Sequence, residues 1–268
     1  MTAMRFWCAV GFLATPVWVR GVELRSETLS AFREHVKIAE KKMEPRFRGD
    51  AFLWAVLPEA ARAKLKGGAI PVVPATGNGN LEIKGGLIQD WSGSTFIPEA
   101  RLAQVLGVVQ DYAHHKVIYQ PEVAEAQLRS RTGDDFKVYM RMVKSKLILT
   151  DVLNTEHDVH FTALGSHRAY SKAYSTRIAE VAEAGKPTEH ELPEGNDRGF
   201  LWRTNSYWFF EEADGGVYVE SEVITLTRDV PFGMGKLFGP ILRSLPAESL
   251  RNSLERTRAA VLARLTGR

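Results

Sequence analysis

Two histidine pairs are the first candidates for chemistry in this sequence. His157 and His160 are three residues apart, and His114 and His115 are adjacent. The first pair lies in a strand-like segment, where residues three apart point to opposite faces, so the two imidazoles cannot easily hold one metal ion. No cysteine or HExxH pattern accompanies them. We predict no metal site and no catalytic histidine, and we expect the second pair to lie in solvent or at the C-terminal end of a helix.

Other patterns that carry chemistry are also missing. The sequence contains no Ser-His-Asp order and no G-x-S-x-G motif. Its glycine-rich strings at 77–80 and 85–86 lack the lysine and the strand–glycine–helix context of a phosphate-binding loop. We therefore predict no catalytic residue and no cofactor, so that function must be inferred from the fold and from any cavity in it.

Length and composition narrow the class of protein. The chain has 268 residues, of which 44% are hydrophobic and 25% charged, as in ordinary globular domains and unlike disordered chains. This length predicts one large domain, or one domain with an elaboration. The formal net charge of +3 gives no reason to expect a nucleic-acid partner.

The first 21 residues have the pattern of a secretory signal peptide. A short start with one positive charge precedes a nearly uninterrupted apolar stretch from Phe6 to Val19, which is too short to span a bilayer. We predict cleavage after Gly21 and an exported protein, periplasmic or secreted. The only cysteine, Cys8, would be removed with this segment. The alternative is that the apolar stretch forms an N-terminal strand or a core helix.

Periodicity beyond residue 21 predicts an α+β fold. Helical patterns begin and end the chain, and strand-like segments lie between them. The predicted helices cover 27–43, 58–66, a segment after Pro98 and 249–265, and the predicted strands cover 81–83, 86–91, 94–97, 123–130, 135–143, 146–163, 167–181, 200–210 and 217–227.

Four strings of this sequence carry a resemblance to a known superfamily. They are VLGVVQDYAHHKVIYQPEV at 105–123, TEHDVHFTAL at 155–164, GFLWRTNSYWFFEEADGGVYVESEVITLTRDVP at 199–231 and RSLPAESLRNSLERTRAAV at 243–261. They resemble the START-like or helix-grip superfamily, also called SRPBCC, and the last two particularly resemble its exported bacterial members. The resemblance implies a curved antiparallel sheet that wraps a long C-terminal helix and leaves an apolar cavity between them. It covers about residues 97–268, so we expect residues 22–96 to be an N-terminal elaboration.

The hairpin around Asp214-Gly215 predicts which residues face such a cavity. This dipeptide favours a two-residue type I′ turn, which pairs Ala213 with Gly216 and Trp208 with Ser221. One face then carries tryptophans and small hydroxyl side chains, typical of a ligand cavity. The other face carries Tyr207 and Phe209 beside Glu220 and Glu222. Because two glutamates of one strand lie on it, we expect this face to meet water. The predicted ligand-binding residues are Trp202, Thr204, Ser206, Trp208, Val219, Ser221, Val223, Val138, Met140 and Met142.

Three hypotheses about function follow. The first is non-catalytic binding or transport of a lipid or another hydrophobic small molecule in the cavity. The second is a polyketide cyclase or hydrolase-like enzyme that uses the same cavity, and an ionisable group deep inside would favour it; Tyr139, Arg203 or a histidine are its candidates. The third is an envelope protein-interaction module presented by residues 22–96. Arginines along the last helix are expected to lie in solvent, with transient membrane-surface contact as an alternative. The sequence leaves the ligand and the oligomeric state open.

Overall fold

The structure is a computed structural model of the chain. It describes residues 22–47, 52–53, 58–146, 149–193, 196–228 and 235–267. The predicted signal peptide, residues 1–21, lies outside the described residues.

Helices stand near both ends of the chain, and most of the strands lie between them. The helices are α1 (Ser26–Met43), α2 (Glu59–Lys66), α3 (Leu102–Val109), α4 (His115–Ile118) and α5 (Gly235–Leu265). The strands are β1 (Val22–Glu23), β2 (Val72–Pro74), β3 (Asn80–Ile83), β4 (Gly86–Pro98), β5 (Val123–Thr132), β6 (Asp135–Lys146), β7 (Leu149–Ala163), β8 (Arg168–Ala182), β9 (His190–Glu191), β10 (Asn196–Asp197), β11 (Arg203–Ala213) and β12 (Gly216–Thr227).

One large antiparallel sheet dominates the architecture. Its main path runs β2-β4-β12-β11-β8-β7-β6-β5, with β3 also paired to β4 and β9 to β8. Helices α3 and α5 pack on one face of this sheet, called here the inner face. A large antiparallel sheet packed against a long C-terminal helix is the helix-grip architecture, so the predicted α+β class is confirmed.

The sheet begins earlier in the chain than we expected. Strand β4 pairs with β12 over the whole length of both strands, although the sequence suggested two separate pieces here and a domain start near residue 97. The last helix also begins earlier, at Gly235 rather than Ser249, and includes Pro240 and Pro246. In both places tertiary packing outweighs the local signals that predicted interruptions.

The predicted hairpin register is confirmed. Ala213 pairs with Gly216, Trp208 with Ser221, and the pairing continues without a bulge along β11 and β12. Asp214 and Gly215 have φ angles of 55° and 78°, as a type I′ turn requires.

The expectation that the outer face of this hairpin meets water is wrong. Tyr207, Phe209 and Ile224 are fully buried there, together with Glu220 and Glu222. The segment that contains α1 covers them and contributes its own apolar side chains to the same cluster. The adjacent glutamates indicated solvent because the sequence does not show that a distant segment supplies partners for them.

Polar contacts tie the covering segment to the sheet. Arg46 donates from Nη2 to Glu220 Oε1, and both side chains are more than nine-tenths buried. On α1, which precedes Arg46, Glu40 Oε1 accepts a hydrogen bond from the Tyr207 hydroxyl at 3.1 Å. Residues of the expected elaboration thus form the second layer on the outer face of the sheet.

We expect Arg46→Met to destabilise the protein by about 3–5 kcal/mol, because it removes a buried cation that is hydrogen-bonded to the buried Glu220 carboxylate. Chemical denaturation checks this. The double variant Arg46→Met/Glu220→Met should lose less than the single variant. Lys84→Met, which breaks an exposed ion pair with Glu27, is the control and should change stability by about 1 kcal/mol at most. Equal losses for Arg46→Met and Lys84→Met would contradict the interpretation.

Candidate functional site

Helix α5 lies close against one part of the sheet. A Cβ atom on Gly93 of β4 would come within 2.8 Å of Leu254 Cδ1 and 3.4 Å of Leu250 Cδ2. Glycine at this position therefore lets the leucine side chains of α5 come this close to the strand without shifting. Because the helix is held over β4 and β12, space remains between it and the inner face of the neighbouring strands.

A cavity of about 830 Å³ occupies this space. Its volume lies within the range of small-molecule sites. Six predicted residues line it, and all six lie on β6, β11 or β12. They are Met140, Met142, Thr204, Ser206, Trp208 and Val223.

The other four predicted residues do not line this cavity. Trp202 precedes β11 and packs in the outer cluster, with its indole N–H donating to Asp197 Oδ1 at 2.9 Å. Val138 and Val219 belong to the closely packed inner core. Ser221 pairs with Gly93, where α5 closes on the sheet, and is fully buried. Strand alternation therefore gives the wrong face for Trp202, which lies before β11, and the correct face for the other three residues, where the position of the helix decides which residues meet the cavity.

One end of the cavity is apolar and aromatic. Val109, Tyr112, Phe161 and Phe210 line this end, and all four belong to the inner hydrophobic core. Trp208 stacks beside Phe210 with ring centroids 6.1 Å apart. This region can bury apolar ligand surface, at about 25 cal/mol per Å² before the costs of association.

The other end carries charged groups in matched pairs. Lys144 is bonded to Glu122, and Arg198 lies 2.8 Å from Asp151. Burial alone would raise the pKa of Glu122, but Lys144 and neighbouring hydrogen bonds bring it below its usual value. The cavity is therefore amphipathic, with an apolar end and an ion-paired end.

His157 is a buried ionisable group on the wall between these ends. The Thr155 hydroxyl donates to the Met140 carbonyl at 3.0 Å, so its oxygen accepts from His157 Nε2–H at 2.9 Å. Burial lowers the pKa of His157 to about 4, which keeps the imidazole neutral at pH 7. With Nε2 protonated, Nδ1 is left as a hydrogen-bond acceptor.

A second buried histidine lies at the apolar end. His115 Nε2–H donates to the Val109 carbonyl at 3.2 Å, and the ring lies between Tyr112 and Tyr119. Burial lowers the pKa of His115 to about 4 and raises that of Tyr119 to about 12. All of these groups are therefore neutral at pH 7.

The sequence analysis did not place the two histidines at the site. His160 is exposed near Asp135 while His157 points inward, so the predicted opposition of the two rings is confirmed. Alternation with Val159 and Phe161 could have placed His157 on the inner face. His115 was expected in solvent or at a helix end, and only its packing between two tyrosines shows that it is buried.

The arginine ridge on α5 lies mainly in solvent, as expected: Arg251, Arg256 and Arg264 are exposed, and Arg258 is half-buried. Arg251 donates to the Ile70 carbonyl, Arg258 to the Gly68 carbonyl and Arg264 to Asp111. The fourth, Arg256, lines the cavity. These contacts hold α5 against the segment before β2 and the end of α3.

The described residues contain no group of three or more metal-ligating side chains. No helix in the described part of the chain is long and apolar enough to cross a membrane.

A helix-grip domain with an internal amphipathic cavity is thus the class of protein that this geometry defines. The sequence matches no family model and no curated protein. A STAR-related lipid transfer protein fragment from Xanthomonas axonopodis is 14% identical, with a TM-score of 0.46 over 69% of this chain and 99% of that one. The Zhui aromatase/cyclase from Streptomyces sp. R1128 is 9% identical, with a TM-score of 0.43 over 66% and 96%. Human STARD10 is 10% identical, with a TM-score of 0.43 over 72% and 77%. These values give no information about the ligand or activity of this chain.

Because His157 is buried and neutral, we expect the stability of the folded protein to depend on pH. The unfolded state takes up a proton on His157 near pH 6.5 and the folded state only near pH 4, so stability falls as pH falls between these values. This residue alone should cost about 2 kcal/mol between pH 7 and pH 5. Between pH 7 and pH 5, the free energy of unfolding of His157→Asn should therefore fall by about 2 kcal/mol less than that of the wild type. The exposed-site variant His160→Asn should retain the wild-type dependence, and identical pH profiles for both variants would contradict the assignment.

Proposed function

We propose that this protein binds or carries a lipid or another hydrophobic small molecule in the cavity between the sheet and α5. The observation that supports this most directly is the amphipathic lining. An aromatic and methionine-rich wall suits apolar ligands of varied shape, and polar groups at one end can meet the polar part of an amphiphile.

An enzyme that uses the same cavity is the second candidate, because His157 and His115 are ionisable groups inside it. A general base works best with a pKa near the working pH, and burial lowers the pKa of both histidines to about 4. The other catalytic candidates, Tyr139 and Arg203, are not among the residues that line the cavity. These observations favour a carrier over an acid–base catalyst.

A module that presents residues 22–96 to an envelope partner is supported less well. Phe32, Ala39 and Met43 of α1 are buried against the outer face of the sheet. Strands β2, β3 and β4 from the same region belong to the sheet itself. Packing within the chain thus gives most of this region a role without an external partner.

Cavity filling tests the carrier proposal. Ala173 lines the cavity, and we expect Ala173→Trp to weaken ligand binding at least tenfold because the indole takes the space that the ligand needs. Native mass spectrometry with organic extraction should detect an apolar molecule in the full-length wild type, and its recovery should fall in the variant.

The control for this experiment is Ala163→Trp, at an exposed position of β7. It should bind as the wild type does. A wild-type protein that is free of apolar molecules and takes up none from a lipid mixture would overturn the carrier proposal. Tight binding that survives in Ala173→Trp would overturn the placement in this cavity.

We also propose that the protein is exported, on the pattern of residues 1–21. Expression in a Gram-negative host should yield a periplasmic protein that lacks these 21 residues, as read from its intact mass. Leu13→Arg interrupts the apolar stretch and should leave the protein uncleaved in the cytoplasm, whereas Thr15→Ser should not. Cytoplasmic, full-length wild-type protein would refute export.

A further inference from the structure

Polar side chains follow one another across the sheet in a single row. Backbone pairing places His157 beside Ser175, Thr204 beside Thr225, and Thr225 beside Gln89. The two halves join where the Thr204 backbone N–H donates to Ser175 Oγ at 3.0 Å. We call these five residues the polar row. It runs over five strands, from β7 to β4.

The rows on one side of the polar row are mainly apolar. The next row contains Val159, Ala173, Ser206, Val223 and Trp91. Beyond it lie Phe161 and Trp208, at the aromatic end of the cavity. The polar row is therefore the level at which polar side chains are continuous across five strands, and toward the aromatic end only isolated hydroxyl groups such as those of Ser206 and Ser171 lie among apolar side chains of the described wall.

Two groups in the polar row have hydrogen-bonding capacity that no described residue takes up. Thr225 Oγ1 is buried and has no hydrogen-bond partner among the residues that the structure describes. His157 Nδ1 receives no hydrogen bond from a described residue, because the bond that this ring makes there is formed by Nε2. Both residues line the cavity, so a molecule inside it can supply the missing partners.

The chemistry of Nδ1 limits what that partner is. The lone pair of a neutral imidazole accepts a hydrogen bond and repels other lone pairs. A carboxylate or a phosphate would therefore be disfavoured at this atom. An ammonium group would donate to Nδ1, but its charge would be costly in a buried site. A neutral hydroxyl combines a donor with a low cost of burial.

We propose that the ligand of this cavity is an apolar molecule that bears a hydroxyl group, which donates to His157 Nδ1. This inference rests on the proposed function and names the class of ligand. The apolar body lies against the aromatic end, and the hydroxyl lies at the polar row. His157 is thus a specificity-determining residue that selects an alcohol over the corresponding ether or hydrocarbon.

Matched probes test this with the full-length protein. The affinities of 1-hexadecanol and its methyl ether, 1-methoxyhexadecane, are measured by displacement of 1-anilinonaphthalene-8-sulfonate. The wild type should bind the alcohol about tenfold more tightly, which corresponds to one buried hydrogen bond. In His157→Phe the preference should vanish while the ether still binds. His157→Asn retains an acceptor oxygen near the position of Nδ1 and should restore part of the preference.

The matched control is His160→Phe, the same substitution on the exposed face of the same strand, which should behave as the wild type. Equal affinities of the two probes in the wild type would overturn the inference while leaving the carrier proposal intact. A preference that persists in His157→Phe would also overturn it. If neither probe binds the wild type, the carrier proposal fails, and the assignment of a hydroxyl ligand fails with it.

Discussion

The close approach of α5 to β4 at Gly93 fixes the rest of the inner face. Leu254 of α5 lies beside Gly93 where a larger residue would carry its Cβ atom, and Leu250 is in ordinary contact there, so the helix packs closely on one flank of the sheet. Close packing on this flank buries Ser221 and Val219 completely. A single helix is too narrow to cover all ten strands. A cavity therefore remains between α5 and the strands farther from β4. The helix contact and the cavity are therefore consequences of the same geometry.

The outer face of the sheet differs from the inner face because it buries charged and polar side chains. It carries glutamates and tyrosines that would be ordinary in water, but the segment around α1 buries them. Burial is tolerated because charged and polar partners come with the covering layer, such as Arg46 for Glu220 and Glu40 for Tyr207. A buried pair of this kind adds little net stability compared with an apolar pair. Removal of only one partner, however, strongly destabilises the folded protein. The N-terminal layer and the sheet are thus coupled through specific contacts as well as through apolar packing.

Inside the cavity, burial decides the chemical character of the ionisable groups. His157 and His115 are kept neutral because the surrounding low-polarity wall disfavours a proton on either ring. A neutral imidazole is a weak base and a good hydrogen-bond acceptor, and this suits recognition better than proton transfer. At the opposite end, Lys144 contacts Glu122 and Arg198 contacts Asp151, so this end carries paired charges. The cavity therefore contains two polar environments, one with neutral histidines and one with ion pairs.

Elements with a strong local signal could be predicted from the amino-acid sequence. A hairpin with an Asp-Gly turn has one favourable pairing, so Trp208 and Ser206 could be assigned to the inner face from the sequence. Helix α1 and the central antiparallel strands could be predicted equally well, because hydrophobic periodicity is a property of neighbouring residues. Which inner-face residues meet the cavity and which lie under α5 depends on the tertiary structure. It alone also showed that the face of Glu220 is covered and that His115 is buried. The reason is physical: pairing and periodicity act between residues that are close in sequence, whereas burial depends on which distant segments pack on each face.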